Sequence, residues 1–278
     1  MVGRRPDGYH ELDSLVAFAD TADVIRVAPA QSLSLETEGP FAAVLGDDDD
    51  NLVLRAARAL AAASGAREGA AIRLIKNLPV AAGIGGGSAD AAATLRALCR
   101  LWRLDPDPDA RAALALSLGA DVPVCLFGRT ARVQGIGERI APAARLPRAA
   151  ILLVNPGVAL ATGPVFAGRT GPFSAPAELP ERFPDVAALA RALAACRNDL
   201  APSARQLAPQ IDEVLAALAA EADCLVARLC GSGPTCFGLF ERCADAQEAA
   251  GRIGARYRSW WVKAGLLLPE VPAARPVG

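Results

Sequence analysis

A chain of 278 residues with 53% apolar side chains can build two modest domains or one large one around a real core. Its 29 basic and 30 acidic side chains leave a formal net charge of −1, and the one acidic run is Asp47 to Asp50, so the basic footprint of a nucleic-acid or membrane-surface protein is missing. Seven scattered cysteines without a C-x-x-C pair, a single histidine, no apolar segment at the start and no 18-residue uncharged apolar window exclude a disulfide scaffold, a structural zinc fold and a spanning helix, and lead to the expectation of a cytoplasmic protein with a small-molecule ligand, no nucleic-acid or membrane partner, and a monomeric or weakly dimeric state.

In chain order, Leu12 to Ala19, Asp23 to Ala28 and Ser32 to Thr37 alternate like consecutive antiparallel strands. Asn51 opens a helix to about Ser64, with Gly65 beyond its end. A strand at 70 to 76 leads into a glycine loop and a helix from 88 to 102, and Asp107 with Pro108 starts another helix that Gly119 ends. Asp121 to Gly128 is expected as an apolar strand with one carboxylate at its mouth, and Arg132 to Ile140 as a strand and turn. The second half opens with a buried strand at Ala150 to Val154, followed by a Gly/Pro-rich loop from Gly168 to Pro184. Helices at 185 to 196 and 202 to 221, strands at 224 to 230 and 235 to 240, a helix at 244 to 257 and a strand at 260 to 268 complete a β-α-β-β-α-β pattern with one extra helix, the split-βαβ arrangement.

The loop Pro79 to Ala89 carries Gly83, Gly85, Gly86 and Gly87. A glycine-rich turn at a helix N-terminus suits an anion: the backbone can approach a phosphate, several N–H groups can converge, and the helix dipole favours negative charge. Ser88 is expected to cap the helix and to offer a hydroxyl to a ligand. The spacing fits neither a Walker A loop nor the dinucleotide fingerprint, and a plain strand-to-helix turn is the competing reading.

A second glycine turn, Gly231 to Thr235, reads by itself as a hairpin, but one glycine loop in each half suggests that the halves close over one ligand. Asp121 reads either as a turn cap or as a general base for an attacking hydroxyl. Tyr9 and His10 read either as surface residues or as an aromatic face and a donor/acceptor pair suited to a nucleobase.

Two stretches point to a family. Pro79 to Ala91 resembles the phosphate-binding motif of the GHMP kinases, and Leu229 to Phe237 resembles their C-terminal glycine motif. Arg5 to Leu12, Gly119 to Val124 and Asn198 to Leu200 resemble the branch acting on a cytidine-diphosphate sugar alcohol in isoprenoid-precursor synthesis. The resemblance implies an α+β, two-domain GHMP kinase fold. Residues 1–145 would form an ATP-binding half of ribosomal-protein-like type and residues 146–278 a ferredoxin-like half. It also implies roles residue by residue. Pro79, Val80, Ala81, Ala82, Gly83, Ile84, Gly85, Gly86, Gly87, Ser88 and Ala89 would wrap the phosphates of ATP, accompanied by Mg2+ without an assigned protein ligand. Gly231, Ser232 and Gly233 would sit against that loop and the substrate. Tyr9 and His10 would hold the cytosine, Phe166 would stack on its other face, and Thr162 would add a polar contact. Asp121 would be the catalytic base. A kinase of another small alcohol, of homoserine or mevalonate type, and a non-catalytic nucleotide-binding copy are the alternatives.

The sequence departs from the family at its start. Members open with a strand of the type Ala-Lys-Ile-Asn-Leu, whose lysine partners the aspartate, roughly 15 residues before the Tyr-His pair. Here eight residues precede Tyr9 and none is lysine. A start codon assigned too late, or a truncated copy, is expected, with the sheet edge beside the first strand left open. Only Lys76 and Lys263 are lysines. Lys76 is on the wrong element to substitute, and Arg4 or Arg5 would do so with different charge geometry.

Overall fold

The computed structural model describes residues 1–45 and 50–276; Asp47 to Asp49 of the acidic run lie outside the described residues. Contacts group the chain into two compact units that do not follow a single cut near residue 145. The first comprises Met1–Thr21, Ala81–Ile84 and Arg129–Glu270; the second comprises Ala22–Val80, Gly85–Gly128 and the stretch from Val271.

The chain starts in the first unit with β1 (Gly3–Arg4), β2 (His10–Val16) and β3 (Phe18–Ala19). The edge of β2 expected to stand open is covered in part: β1 pairs with it at Gly3↔Glu11 and Arg4↔His10, while Leu12 to Val16 have a strand partner only in β7 among the described residues. Between these strands Gly8 takes φ +90°, and Asp7 accepts the Tyr9 N–H at 3.2 Å, a turn that presents Tyr9 to solvent.

The second unit holds β4 (Val24–Ala30), β5 (Ser34–Glu38), α1 (Ala42–Leu45), α2 (Leu52–Ser64), β6 (Gly69–Ile75), α3 (Gly86–Leu101), α4 (Pro108–Leu118) and α5 (Val122–Phe127). Asn51 caps α2 by accepting from Val53 N–H at 2.9 Å, and Gly65 ends it at φ +68°. Asp107 caps α4 through two backbone N–H groups. The expectation of consecutive antiparallel strands fails at β4 and β5, which do not pair with each other. Strand β6, with Ala70, Ile72 and Leu74 buried, lies between them, antiparallel to β4 and parallel to β5. The expected strand after Asp121 is also wrong: Val122–Phe127 is a helix. Pro123 falls in its first turn, where a missing N–H costs nothing, whereas it would interrupt a ladder. Arg96 of α3 takes the Cys125 carbonyl at 2.9 Å and Gly128 closes the helix at φ +72°.

The first unit resumes with β7 (Ala131–Gly135), β8 (Arg139–Pro142), β9 (Ala150–Asn155), α6 (Thr162–Ala167), α7 (Val186–Ala195), α8 (Ala201–Leu207), α9 (Gln210–Ala219), β10 (Val226–Leu229), β11 (Cys236–Phe240), α10 (Cys243–Arg256) and β12 (Trp261–Leu268). Two sheets result, ordered β1-β2-β7-β8 and β10-β11-β9-β12-β3. In the second, β11 lies between β9 and β10 and is antiparallel to both, which is the expected split-βαβ order. Strand β9 is buried throughout because both its faces are covered: Leu152 and Val154 pack with Ile211 and Phe240, while Ile151 and Leu153 pack with Phe183 and Leu189. The single helix expected at 202 to 221 is broken before Pro209 into α8 and α9. Helix α6 was not expected. The stretch 168 to 184 has no helix or strand, only an isolated bridge at Arg182.

Candidate active site

The glycine loop divides between the units, so its parts are taken separately. In the first unit, Ala82 and Gly83 lie against the second glycine turn. The Ala82 carbonyl accepts from Thr235 Oγ1 at 2.6 Å, and that hydroxyl accepts from Asn155 Nδ2 at 2.8 Å; both Thr235 and Asn155 are buried. Gly83 takes φ +70° and passes so close that a Cβ there would sit 2.0 Å from the Gly233 carbonyl oxygen. Asn198 holds the turn from behind, donating from Nδ2 to the carbonyls of Gly231 at 2.8 Å and Leu229 at 3.3 Å. The structure thus brings Ala82 and Gly83 against Gly231, Gly233 and Thr235, with Ser232 in the same turn. The plain-hairpin reading misses this, because a hairpin turn has no reason to lock onto a segment 150 residues earlier.

The nucleobase candidates lie in the same unit. Thr162 and Phe166 are four residues apart on α6 and therefore share a face. Thr162 Oγ1 lies 3.3 Å from Ser232 Oγ. The His10 ring faces Phe166 at 5.7 Å between centroids and Phe173 at 6.3 Å, both tilted. Tyr9 is 62% exposed, and Pro79 and Val80 stand outside this unit. Burial lowers the His10 pKa, helped by the charges of Arg4 and Arg169, so the imidazole stays neutral at pH 7 with one donor and one acceptor nitrogen. Phe173 has no signal in the sequence, because a lone aromatic in a Gly/Pro-rich stretch belongs to no periodic pattern. Arg169 stacks its guanidinium 4.1 Å above the Phe173 ring and donates to the Gly171 and Pro172 carbonyls, which gives this irregular stretch local order. Arg4 donates to the Gly8 carbonyl and Arg5 pairs with Asp7, so both are engaged in their own turn.

In the second unit, Gly85 at φ +70° precedes α3 and provides no side-chain cap. Ser88, expected as the cap, is the third residue of the helix. The first N–H groups of α3 therefore have no intrahelical acceptor and point out of the helix end. A Cβ at Gly85 or Gly87 would meet nothing within 4 Å, so there is open space before this end. Asp121 precedes α5 and makes no side-chain cap bond, which removes the turn-cap reading. The residue keeps contact with solvent, while the surrounding protein raises its carboxyl pKa by desolvation. Helices α3 and α5 pack together, so one unit holds both an anion-ready helix end and an unengaged carboxylate. Lys76 is not free to serve as a cation there. It is buried, with Nζ 2.5 Å from Asp23 Oδ2 and 2.8 Å from Asp90 Oδ2.

Known proteins are similar to this chain in sequence and in fold. The GHMP kinases N terminal domain matches residues 51–129 and the GHMP kinases C terminal domain residues 178–259. A 4-diphosphocytidyl-2-C-methyl-D-erythritol kinase of Paramagnetospirillum magneticum is 55% identical over 268 residues, covering 96% of this chain and 94% of the relative. That of Rhodospirillum rubrum is 51% identical, covering 100% and 92%. A crystal structure of 4-(cytidine 5'-diphospho)-2C-methyl-D-erythritol kinase superposes with a TM-score of 0.76 at 37% identity, covering 96% of this chain and 93% of that one. A homoserine kinase from Cytophaga hutchinsonii, at TM-score 0.70 and 16% identity over 92% and 89% of the two chains, shares the fold alone. Likeness at this level over nearly the whole length shows that the chain belongs to the 4-diphosphocytidyl-2-C-methyl-D-erythritol kinase family of the GHMP kinases.

Proposed function

We propose that the chain transfers the γ-phosphoryl group of ATP to the 2-hydroxyl of 4-diphosphocytidyl-2-C-methyl-D-erythritol, a step of non-mevalonate isoprenoid-precursor synthesis. The observation that carries this reading is the full-length identity of 50% or more to kinases of that name. The geometry supports each part. The N–H groups before α3, with Gly85 to Ser88, take the ATP phosphates as an anion at a helix end. Asp121 accepts the proton of the attacking hydroxyl, whose oxygen then displaces ADP at the γ-phosphorus, and it later releases that proton to water. Mg2+ fits as an ion carried by the nucleotide. Among the described residues no cluster of three or more His, Cys, Asp or Glu side chains is placed to hold one, so phosphate and water oxygens would be most of its ligands, and it would neutralise charge on the transferred group. Tyr9, His10, Thr162 and Phe166 recognise the cytosine, and Phe173 extends that aromatic wall. Among the described residues no helix is long and apolar enough to cross a membrane.

The test is incubation of the full chain with ATP, Mg2+ and the cytidine substrate, following product by phosphorus NMR. ATP binding without transfer to this alcohol would overturn the reading in favour of a nucleotide-binding module. Phe166→Ala is expected to raise KM for the cytidine substrate about tenfold and leave KM for ATP unchanged. Acidification should act through His10. Its lowered pKa keeps the acceptor nitrogen available below the ordinary histidine range of about 6.5, and only at lower pH does protonation turn that acceptor into a donor. KM for the cytidine substrate is therefore expected to rise only at a lower pH than an ordinary histidine would require, read from the KM–pH profile at saturating ATP.

A further inference from the structure

We infer that Lys76, Asp23 and Asp90 are positioning residues for the phosphate loop, joined in a buried strap that fixes both of its ends in the second unit and thereby sets ATP affinity. The inference rests on the reading that this loop takes the ATP phosphates. Asp23 accepts the backbone N–H groups of Asn77 at 2.6 Å and Leu78 at 2.8 Å through Oδ1, fixing the strand exit, and holds Lys76 through Oδ2. Lys76 then reaches across to Asp90 on α3, just behind the helix end. The ammonium approaches so closely that a Cβ on Gly86 would lie 3.5 Å from Nζ. The three side chains are 2–7% exposed. Burial alone would lower the Lys76 pKa, but Asp90 and Asp23 outweigh it and hold the ammonium charged.

Stability is a poor reason for this cluster, because three buried charges are commonly matched or bettered by apolar packing. What an apolar patch lacks is direction. The strap's hydrogen bonds set where residues 76 to 78 lie against Asp90, and so where the intervening glycines can hold a phosphate.

The experiment compares KM for ATP and for the cytidine substrate, with calorimetric binding of a non-hydrolysable ATP analogue, in the full chain and its variants. Burial raises the Asp90 pKa to about 7, so at pH 8 Lys76→Met with Asp90→Asn removes one positive and one negative charge; the net charge of the cluster is then nearly unchanged and both ties of Lys76 are lost. KM for ATP is expected to rise about tenfold or more, with KM for the cytidine substrate within about twofold. Asp90→Asn alone keeps an oxygen for Lys76 and is expected to stay within about threefold of the unaltered chain. Should the double variant not fold, Asp90→Ala cuts only the tie to α3 and is expected to weaken the analogue by about fivefold. Unchanged ATP binding in a folded double variant or in Asp90→Ala, or a parallel rise in both KM values, overturns the inference. If the unaltered chain binds no analogue at all, it is the underlying ATP reading that fails.

Discussion

Asp121→Asn is expected to lower kcat by about 10^2–10^4 while leaving KM for ATP nearly unchanged. Asparagine matches the shape of aspartate, and because the carboxylate makes no cap bond to α5, the helix start loses nothing by the exchange. The loss is confined to the chemistry: an amide cannot take the hydroxyl proton. Circular dichroism should show an intact fold. Thermal stability should be equal or higher, since desolvation raises the Asp121 pKa and the folded state therefore disfavours the charge that asparagine removes. The same shift sets the pH dependence. The base works only when ionised, so kcat falls as pH drops through a pKa lying above the ordinary value of about 3.9. That acid limb is expected in the unaltered chain and should vanish from the residual rate of the variant. Near-full turnover in Asp121→Asn would place the base elsewhere.

Gly83→Ala carries the largest expected cost to stability. The new Cβ would stand 2.0 Å from the oxygen, 2.7 Å from the carbon and 2.9 Å from the nitrogen of Gly233, all backbone atoms with no rotamer to yield, and φ at +70° adds strain for any side chain. Positive-φ strain and overpacking together give about 2–5 kcal/mol. That corresponds to a fall in Tm of roughly 5–15 °C for a chain of this size, measured by calorimetry. Gly87→Ala is the matched control. The position is helical and a Cβ there meets nothing within 4 Å, so stability should hold or rise by about 0.5–1 kcal/mol. Its methyl group nevertheless enters the space before the helix end, and KM for ATP should rise. If Gly83→Ala melted like the unaltered chain, the lock between the two glycine turns would be refuted.

Much of this molecule is written in consecutive residues. Asn51 and Gly65 mark the ends of α2, Asp107 and Pro108 start α4, and the run of glycines ahead of α3 announces an anion site, because caps, turns and helix ends depend on residues two to four apart. Ser88 does not cap the helix because α3 already begins at Gly86, which puts Ser88 inside its first turn and leaves the first N–H groups without a side-chain cap. The stretch after Asp121 misled because six apolar residues suit a strand or a helix equally, and only Pro123 and the grip of Arg96 on the Cys125 carbonyl favour the helix.

The sequence by itself determined the local elements, the family motifs and the residue types available for phosphate, base and nucleobase chemistry. The tertiary structure alone decided that β6 separates β4 from β5, that Gly83 locks against Gly233, that Phe173 joins Phe166 at His10, and that Lys76 is spent inside the fold between two aspartates. These contacts join residues from 14 to more than 150 positions apart. No local preference records such distances; they follow from which faces must be buried together and from the hydrogen bonds that buried polar groups are obliged to find.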